Sequence, residues 1–510
     1  MQPSYSVVWF KRDLRIADHL PLVQALERGP VLCLYIVEPS LWAAPDAARQ
    51  HFDFVLESLR DLYRALRKIG GQLQLVTGEV TEVLARLHRQ APFGDLYSHE
   101  ETGNGLTFQR DLAVARWCRA NDVIWHESPQ FGVVRRLQAR DHWQRLWDEF
   151  MAQGQLVAPE IVRCVSLPWN EAPPPSAEML GLREPEVPSR QLGGRQAGLQ
   201  ILRDFLVDRS NQYRGGISSP LSAPTACSRL SPYLALGCLS LREVVQTTRL
   251  FAAQLPASAS QQRAGLQAFI SRLYWHCHFI QKLESEPALE FRNLHRGYDG
   301  MLENDWNPAH FSALTAGRTG WPLVDACVAM LRETGWINFR MRAMLVSVAA
   351  YLLWLHWRPV GLWLARQFLD YEPGIHWPQM QMQSGTTGIN VPRIYNPIKQ
   401  ARDHDPRGHF VRRWLPYLRK VPDSWLFEPW RMPETLQRQH GLQPGEDIPE
   451  PLVDLEVATR IAKQRLFALR TQPEIKAAKA AIVEKHGSRK RSAPRSKKAQ
   501  GTQAQMTLDL

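Results

Sequence analysis

Along residues 1–127, short apolar runs alternate with stretches in which apolar residues recur every three or four positions. The runs at Tyr5–Phe10, Val31–Val37, Gln72–Val76, Asp95–Ser98 and Val123–His126 favour β-branched and aromatic residues, as half- or fully buried strands do. The stretches near 19–28, 47–69, 80–89 and 105–120 carry the helical period. This alternation predicts a doubly wound parallel sheet, because parallel strands need long crossovers and a helix supplies one. No G-x-G-x-x-G follows the first run, so a dinucleotide on that turn is not expected. A helical piece at Arg140–Gln153 precedes the Pro-rich Pro168–Pro188, which reads as a connector lying over the surface. From about 195 to 470 the pattern is helical, clearest at Leu266–Leu283, Pro322–Thr334, Met341–Leu355 and Pro359–Leu369. Beyond 472 aromatic residues nearly vanish, and a tail without a core to join is expected to be disordered. The predicted organisation is therefore an α/β domain at 1–130, a connector at 131–195, an all-α domain at 196–472 and a basic disordered tail at 473–510.

Composition narrows the class. No apolar run reaches the roughly 18 residues of a membrane span, and the start enters the first strand without a signal-peptide pattern. The seven cysteines are scattered without a C-x-x-C pair and none follows 327, which disfavours a disulfide scaffold, a zinc ribbon and any cluster needing a C-terminal cysteine set; no metal is expected. A cytoplasmic monomer is expected. Of the net charge of +12, the segment Ile475–Leu510 carries +7 through nine Lys/Arg against two Asp/Glu. The body is thus only mildly basic, and net charge alone does not identify a nucleic-acid partner. Eleven of the 18 tryptophans fall between 275 and 430, a density that suits core packing, a stacking surface or a path for electrons.

Five blocks in fixed order carry a family resemblance. Val8-Trp9-Phe10-Lys11-Arg12-Asp13-Leu14-Arg15 closes the first strand. Ser228-Arg229-Leu230-Ser231-Pro232-Tyr233-Leu234 comes next. Thr319-Gly320-Trp321-Pro322-Leu323-Val324-Asp325-Ala326 then leads to Thr334-Gly335-Trp336 and Arg340-Met341-Arg342. Phe368-Leu369-Asp370 precedes the last block, Arg393-Ile394-Tyr395-Asn396-Pro397 with Phe410-Val411-Arg412-Arg413-Trp414-Leu415-Pro416. Together they resemble the photolyase/cryptochrome family over roughly residues 4–435. The resemblance implies an N-terminal antenna domain, a helical domain holding noncovalent FAD, and damaged DNA as partner.

On that resemblance, Tyr213, Thr225, Cys227, Ser228, Arg229, Leu230 and Ser231 lie along the flavin-phosphate segment, where hydroxyls and N–H groups near a helix start suit an anion. Cys227 stands where the family usually has threonine, and Thr225 is expected to compensate in part. Phe269, Arg272 and His276 belong to the same cofactor region. Arg342 and Asp370 match an ion pair beside the isoalloxazine, where a guanidinium with a carboxylate partner favours charge on reduced flavin. Glu372 replaces an aspartate of the family pattern, and His376 stands where asparagine usually faces flavin N5. Trp275 keeps the aromatic wall on which a lesion stacks. Arg272 replaces a lesion-gripping glutamate, Phe339 an asparagine, Ala343 a methionine and Met382 a second wall tryptophan. Arg340, Arg393 and Gln400 fall at positions tied to DNA or lesion contact.

Electron supply departs from the family as well. Met380 takes the place of the flavin-adjacent tryptophan, Trp357 matches the middle member, and the outer one falls near Asn304–Trp306. A thioether is harder to oxidise than indole, so Trp377, Trp354 or Tyr371 become alternative donors. His99-Glu100-Glu101, at a strand's carboxyl end, is the candidate cluster for a second, antenna chromophore.

The expected function is blue-light-driven repair of UV-induced pyrimidine lesions by electron transfer from reduced FAD. The rivals are a cryptochrome-type photoreceptor without repair and a light-independent flavin-bearing DNA-binding protein. Separately, Gln505-Met506-Thr507-Leu508-Asp509-Leu510 resembles the motif with which bacterial repair proteins dock on the sliding clamp. In an extended segment Met506, Leu508 and Leu510 share one side, and Gln505 is free to bond at the rim.

Overall fold

The computed structural model describes residues 5–165, 173–443 and 446–487. Five parallel strands, β1 (Ser6–Phe10), β2 (Val31–Val37), β3 (Leu73–Thr77), β4 (Asp95–His99) and β5 (Ile124–Ser128), lie in the order β3-β2-β1-β4-β5. Val8 of β1 pairs with Cys33 on one side and Tyr97 on the other. Every residue of β1 and β2 is buried, which is why those two runs show no alternation: a strand covered on both faces has no polar side. The crossovers are α1 (Leu20–Arg28), α2 (Arg49–Lys68), α3 (Val80–Gln90) and α4 (Gly105–Ala120). The strand order reverses beside β1, so the carboxyl ends of β1 and β4 part there.

One face of the sheet packs under α3 and α4 through Val7, Trp9, Leu34, Leu87 and Val114. The other face, with Val8, Phe10 and Cys33, runs into Phe205, Tyr233, Phe269 and Ile280 of the helical region as one continuous core. The expected boundary near 196 is a change of architecture without a break in packing. Trp143, Trp147 and Met151 of the connector's helix are buried in that same core, as are Ala177, Leu180 and Leu182. Most of 173–188 is exposed, Met179 included, but Ala177, Leu180 and Leu182 insert into the core and Arg49 pairs with Glu178 and Glu186. Residues 166–172 lie outside the described part.

The helical region is built around α5 (Ser260–Ser285), α6 (Pro322–Thr334), α7 (Phe339–Ser347), α8 (Trp357–Gln367) and α9 (Pro373–Gln383). A second core gathers Trp321, Leu345, Trp357, Val360 and Trp377 among them. A Cβ on Gly361 would stand 2.6 Å from the Trp377 ring, so a side chain there would hold α8 and α9 apart. Later in the chain come α10 (Leu455–Arg470) and α11 (Pro473–His486). Disorder from 473 onward is thus corrected over α11. Ile475 and His486 are buried, the Ile475 carbonyl accepts a bond from His295 Nε2 at 2.9 Å, and Lys485 pairs with Glu286. A few anchored contacts hold a helix that its own weak amphipathicity would not. Residues 488–510, with the Gln505–Leu510 motif, lie outside the described residues.

Candidate functional site

A cavity of about 310 Å³ lies between α5, α7, α9 and the chain around 227–235. The flavin-phosphate segment contributes Cys227, Ser228, Arg229, Leu230 and Ser231, with Tyr213 beside it. From α5 come Phe269, Arg272, Trp275 and His276, which the helical period places on one face. Phe339 and Arg342 enter from α7, Asp370 and Glu372 from the turn into α9, and His376 from α9 itself. Residues from Tyr213 to Gln383 thus meet around one space.

Arg342 and Asp370 form a two-armed pair, Nη1–Oδ1 and Nη2–Oδ2 both at 3.0 Å. Arg342 Nε also donates to the Ile337 carbonyl at 2.9 Å, and the guanidinium lies 4.1 Å from the Phe368 ring centre. Burial pushes the Asp370 carboxyl up, but Arg342 and the Ser231 hydroxyl outweigh it and hold Asp370 below its ordinary value. Burial brings His376 down to about 4 and His276 likewise to about 4, so both are neutral near pH 7. His376 Nε2 lies 2.9 Å from the Gly361 carbonyl. A neutral ring must donate there, which leaves Nδ1 as an acceptor. Burial raises the Cys227 thiol to about 12, so it stays protonated. Arg229, at φ 60°, stacks over Trp336 at 3.9 Å, and burial lowers its value to about 10.

Glu372 has a role the sequence did not give it. It accepts from Arg12 Nη2 at 2.8 Å and caps α9 through Gly374 N. Arg12 in turn donates to the Ala235 carbonyl at 2.9 Å, and Arg15 Nη1 to Gly237 O at 2.9 Å. The Trp-Phe-Lys-Arg-Asp-Leu-Arg block is therefore a joint that ties the end of β1 to the cavity's floor.

Several expected residues lie elsewhere. Thr225 is corrected: it is exposed, and its hydroxyl donates to Ser222 O. Ala223 and Ala226 turn that four-residue helix inward, which points Thr225 out. Arg340, Met382, Arg393 and Gln400 are outside the lining. Trp357 and Trp377 stand behind it, 6.0 Å apart at 71°, while Met380 lines it. Lining residues that sequence reasoning missed include Trp336, Asn338, Gln379 and Gln383. The last two continue the face of Ile375 at spacings of four, a signal visible once α9 is placed. Asn338 Oδ1 and Gln379 Oε1 have no hydrogen-bond partner, as fits a wall that a polar ligand completes. Cations, hydroxyls, a neutral imidazole and unmatched acceptors make a donor set that suits a phosphate-bearing heteroaromatic such as FAD.

The carboxyl ends of β1, β2 and β4 border a second cavity, of about 170 Å³. Trp9, Arg12, Glu38, Asp46, Glu101 and Arg110 line it, and Tyr371 borders both cavities. Burial raises Glu38 to about 7 despite Arg110, whose Nη1 donates to its Oε1 at 3.1 Å. His99 is corrected as an antenna contact: it is buried, with Nδ1 2.8 Å from Asp13 Oδ2. His19 Nε2 meets the same oxygen at 3.0 Å. His19 Nδ1 accepts from Leu22 N, so Nε2 carries a hydrogen and is not available as a metal ligand.

Comparison with known proteins agrees with this geometry. The family model described as the DNA photolyase domain matches residues 6–139, and that described as the FAD binding domain of DNA photolyase matches 269–468. The chain is 29% identical to a cryptochrome DASH of Gloeobacter violaceus, over 89% of this chain and 94% of that one. It is 29% identical to a deoxyribodipyrimidine photo-lyase of Vibrio cholerae, over 84% and 93%. A bacterial class III photolyase from Agrobacterium tumefaciens superposes with a TM-score of 0.80 at 25% identity, covering 92% of this chain and 99% of that one. A parallel sheet joined to a helical region that matches the FAD-binding model, with an Arg–Asp pair in its cavity, defines a two-domain flavoprotein class. The chain belongs to the photolyase/cryptochrome family.

Proposed function

We propose that the protein is an FAD-dependent, blue-light-driven photolyase acting on pyrimidine lesions in DNA. The observation that carries this is Trp275: half-buried on α5, it shares one cavity with the Arg342–Asp370 pair. A base extruded from the duplex can stack on it while lying next to the flavin. When bound, FAD supplies light absorption and a transferable electron. The chain's residues do the rest. Arg342 holds positive charge where reduced flavin is negative, and Asp370 fixes its orientation. His376 offers a neutral imidazole at the cofactor's edge. Arg272, Gln379 and Gln383 supply hydrogen-bonding groups for the lesion's edges, and Phe339 adds apolar surface. Arg340, Arg393 and Gln400 outside the cavity suit phosphate contacts, whose strength falls as salt rises.

The second cavity, with Trp9, Glu38 and Arg110 on its walls, supports an antenna chromophore with a planar ring and N–H donors. On sequence pattern, the Gln505–Leu510 motif supports docking on the sliding clamp, which anisotropy with a labelled peptide and a Gln505→Ala control tests. No helix among the described residues is long and apolar enough to cross a membrane.

The test is illumination of the reduced protein with oligonucleotides carrying defined lesions, single- and double-stranded. Restored pyrimidines that depend on light and on Trp275 support repair. Absence of light-dependent repair for every lesion, with FAD bound, favours the photoreceptor reading instead, which the departures from the family pattern at Arg272, Phe339, Ala343 and Met382 also suit.

A further inference from the structure

We infer that Tyr371 is the electron donor for light-driven reduction of the flavin and that Asp46 takes its proton, an inference resting on the FAD-and-light reading of the cavity. Met380 lines the cavity where an oxidisable ring would serve. The nearby tryptophans lack a base. Trp377 is fully buried, and its indole nitrogen lies beside the Tyr371 hydroxyl, a group that does not take up a proton near neutrality. Trp357 donates to Asn293 Oδ1 at 2.7 Å, an amide that does not accept a proton near neutrality. Oxidising either one leaves a cation in an apolar interior, at high cost.

Tyr371 differs on each point. It borders both cavities, and its ring lies 5.2 Å from His376. Its O–H donates to Asp46 Oδ2 at 2.7 Å, within the reach of direct proton transfer. Asn104 Nδ2 donates to that same oxygen at 2.9 Å and fixes the carboxylate's position. Asp46 comes from the sheet domain and Tyr371 from the turn into α9, so the relay is assembled across the joint.

The step balances. One electron passes from the Tyr371 phenol to photoexcited oxidised flavin as the phenolic proton moves along the hydrogen bond to Asp46 Oδ2. The O–H bond breaks at tyrosine and one forms at aspartate. The tyrosine becomes a neutral radical, the carboxylate is neutralised, and the flavin gains one electron. Recombination reverses both transfers. An added thiol instead gives a hydrogen atom to the tyrosyl oxygen, Asp46 releases its proton to solvent, and the reduced flavin persists.

The experiment uses the full FAD-loaded chain without DNA, so a failure of lesion repair leaves its outcome unaffected. Protein is illuminated, frozen and examined by electron paramagnetic resonance, with and without ring-deuterated tyrosine. A tyrosyl radical is expected whose spectrum narrows on deuteration and is absent in Tyr371→Phe. Photoreduction with thiol is expected to slow about tenfold or more in Tyr371→Phe and in Asp46→Asn, which keeps an acceptor but removes the base. A solvent-deuterium effect on the wild-type rate should disappear in both. A tryptophan radical in the wild type, or wild-type photoreduction in either variant, overturns the inference. Should Tyr371→Phe lose FAD, Asp46→Asn decides alone, because Asp46 lies on the second cavity's wall.

Discussion

Replacing Asp370 by asparagine removes one charge and little volume, so it probes the ion pair with the least disturbance of packing. A fully buried pair broken on one side costs about 3–5 kcal/mol, because the remaining charge stays desolvated. Here the two side chains are 22% and 6% exposed, respectively for Arg342 and Asp370. Arg342 also keeps the Ile337 carbonyl and the Phe368 face, and an asparagine oxygen retains one acceptor. These features bring the expected cost to about 2 kcal/mol. If the pair is what orients Arg342 toward the flavin, that cost appears in FAD binding as roughly a 30-fold rise in Kd. Titration of the cofactor-free chain with FAD measures it. The pH dependence gives a second reading. Asp370 is held below its ordinary value, so its contribution is full above the ordinary carboxylate range and is lost as pH falls through the lowered value. Wild-type affinity should therefore drop in acid more than that of Asp370→Asn. Equal Kd values and parallel pH profiles for the two proteins would refute the reasoning.

Three further outcomes are expected. His376 and His276 are held down to about 4 by burial. The unfolded chain therefore binds more protons between about 6.5 and 4, and acidification from pH 7 to 5 should cost about 2 kcal/mol for each ring. Urea unfolding at both pH values checks this, and His376→Gln should reduce the loss. Trp377 packs 5.0 Å from His376 and 6.0 Å from Trp357, and with Tyr371 as the donor neither indole carries the first hole, so Trp377→Phe and Trp357→Phe should each slow photoreduction far less than Tyr371→Phe. A loss in either tryptophan variant as large as that in Tyr371→Phe, in a stopped-illumination assay, would show the hole travelling by the indoles. A Cβ on Gly237, at φ 61°, would lie 2.2 Å from the Arg12 carbonyl. Gly237→Ala should therefore destabilise the joint by about 2 kcal/mol or more, read as a lower unfolding midpoint; a midpoint within a degree of wild type would contradict the clash.

The alternation of apolar runs determined the five strands and their crossovers almost to the residue, because each element buries a face whose period is written in its own side chains. Val31–Val37 and Pro322–Thr334 lie where the pattern put them. The family blocks likewise named Arg342 and Asp370, which meet at the cavity, since they are identifiable by type and order. What the pattern could not supply was direction at short helices and turns: Thr225 points out because its alanine neighbours point in, and His99 turns to Asp13 instead of a ligand. Nor could it show that Glu372 answers Arg12, or that Asp46 and Tyr371, 325 positions apart, share a hydrogen bond. Those pairings depend on how the sheet's carboxyl edge docks on the helical region. A periodic pattern fixes which face of an element is buried, but only tertiary packing decides which polar group from a distant element meets it there.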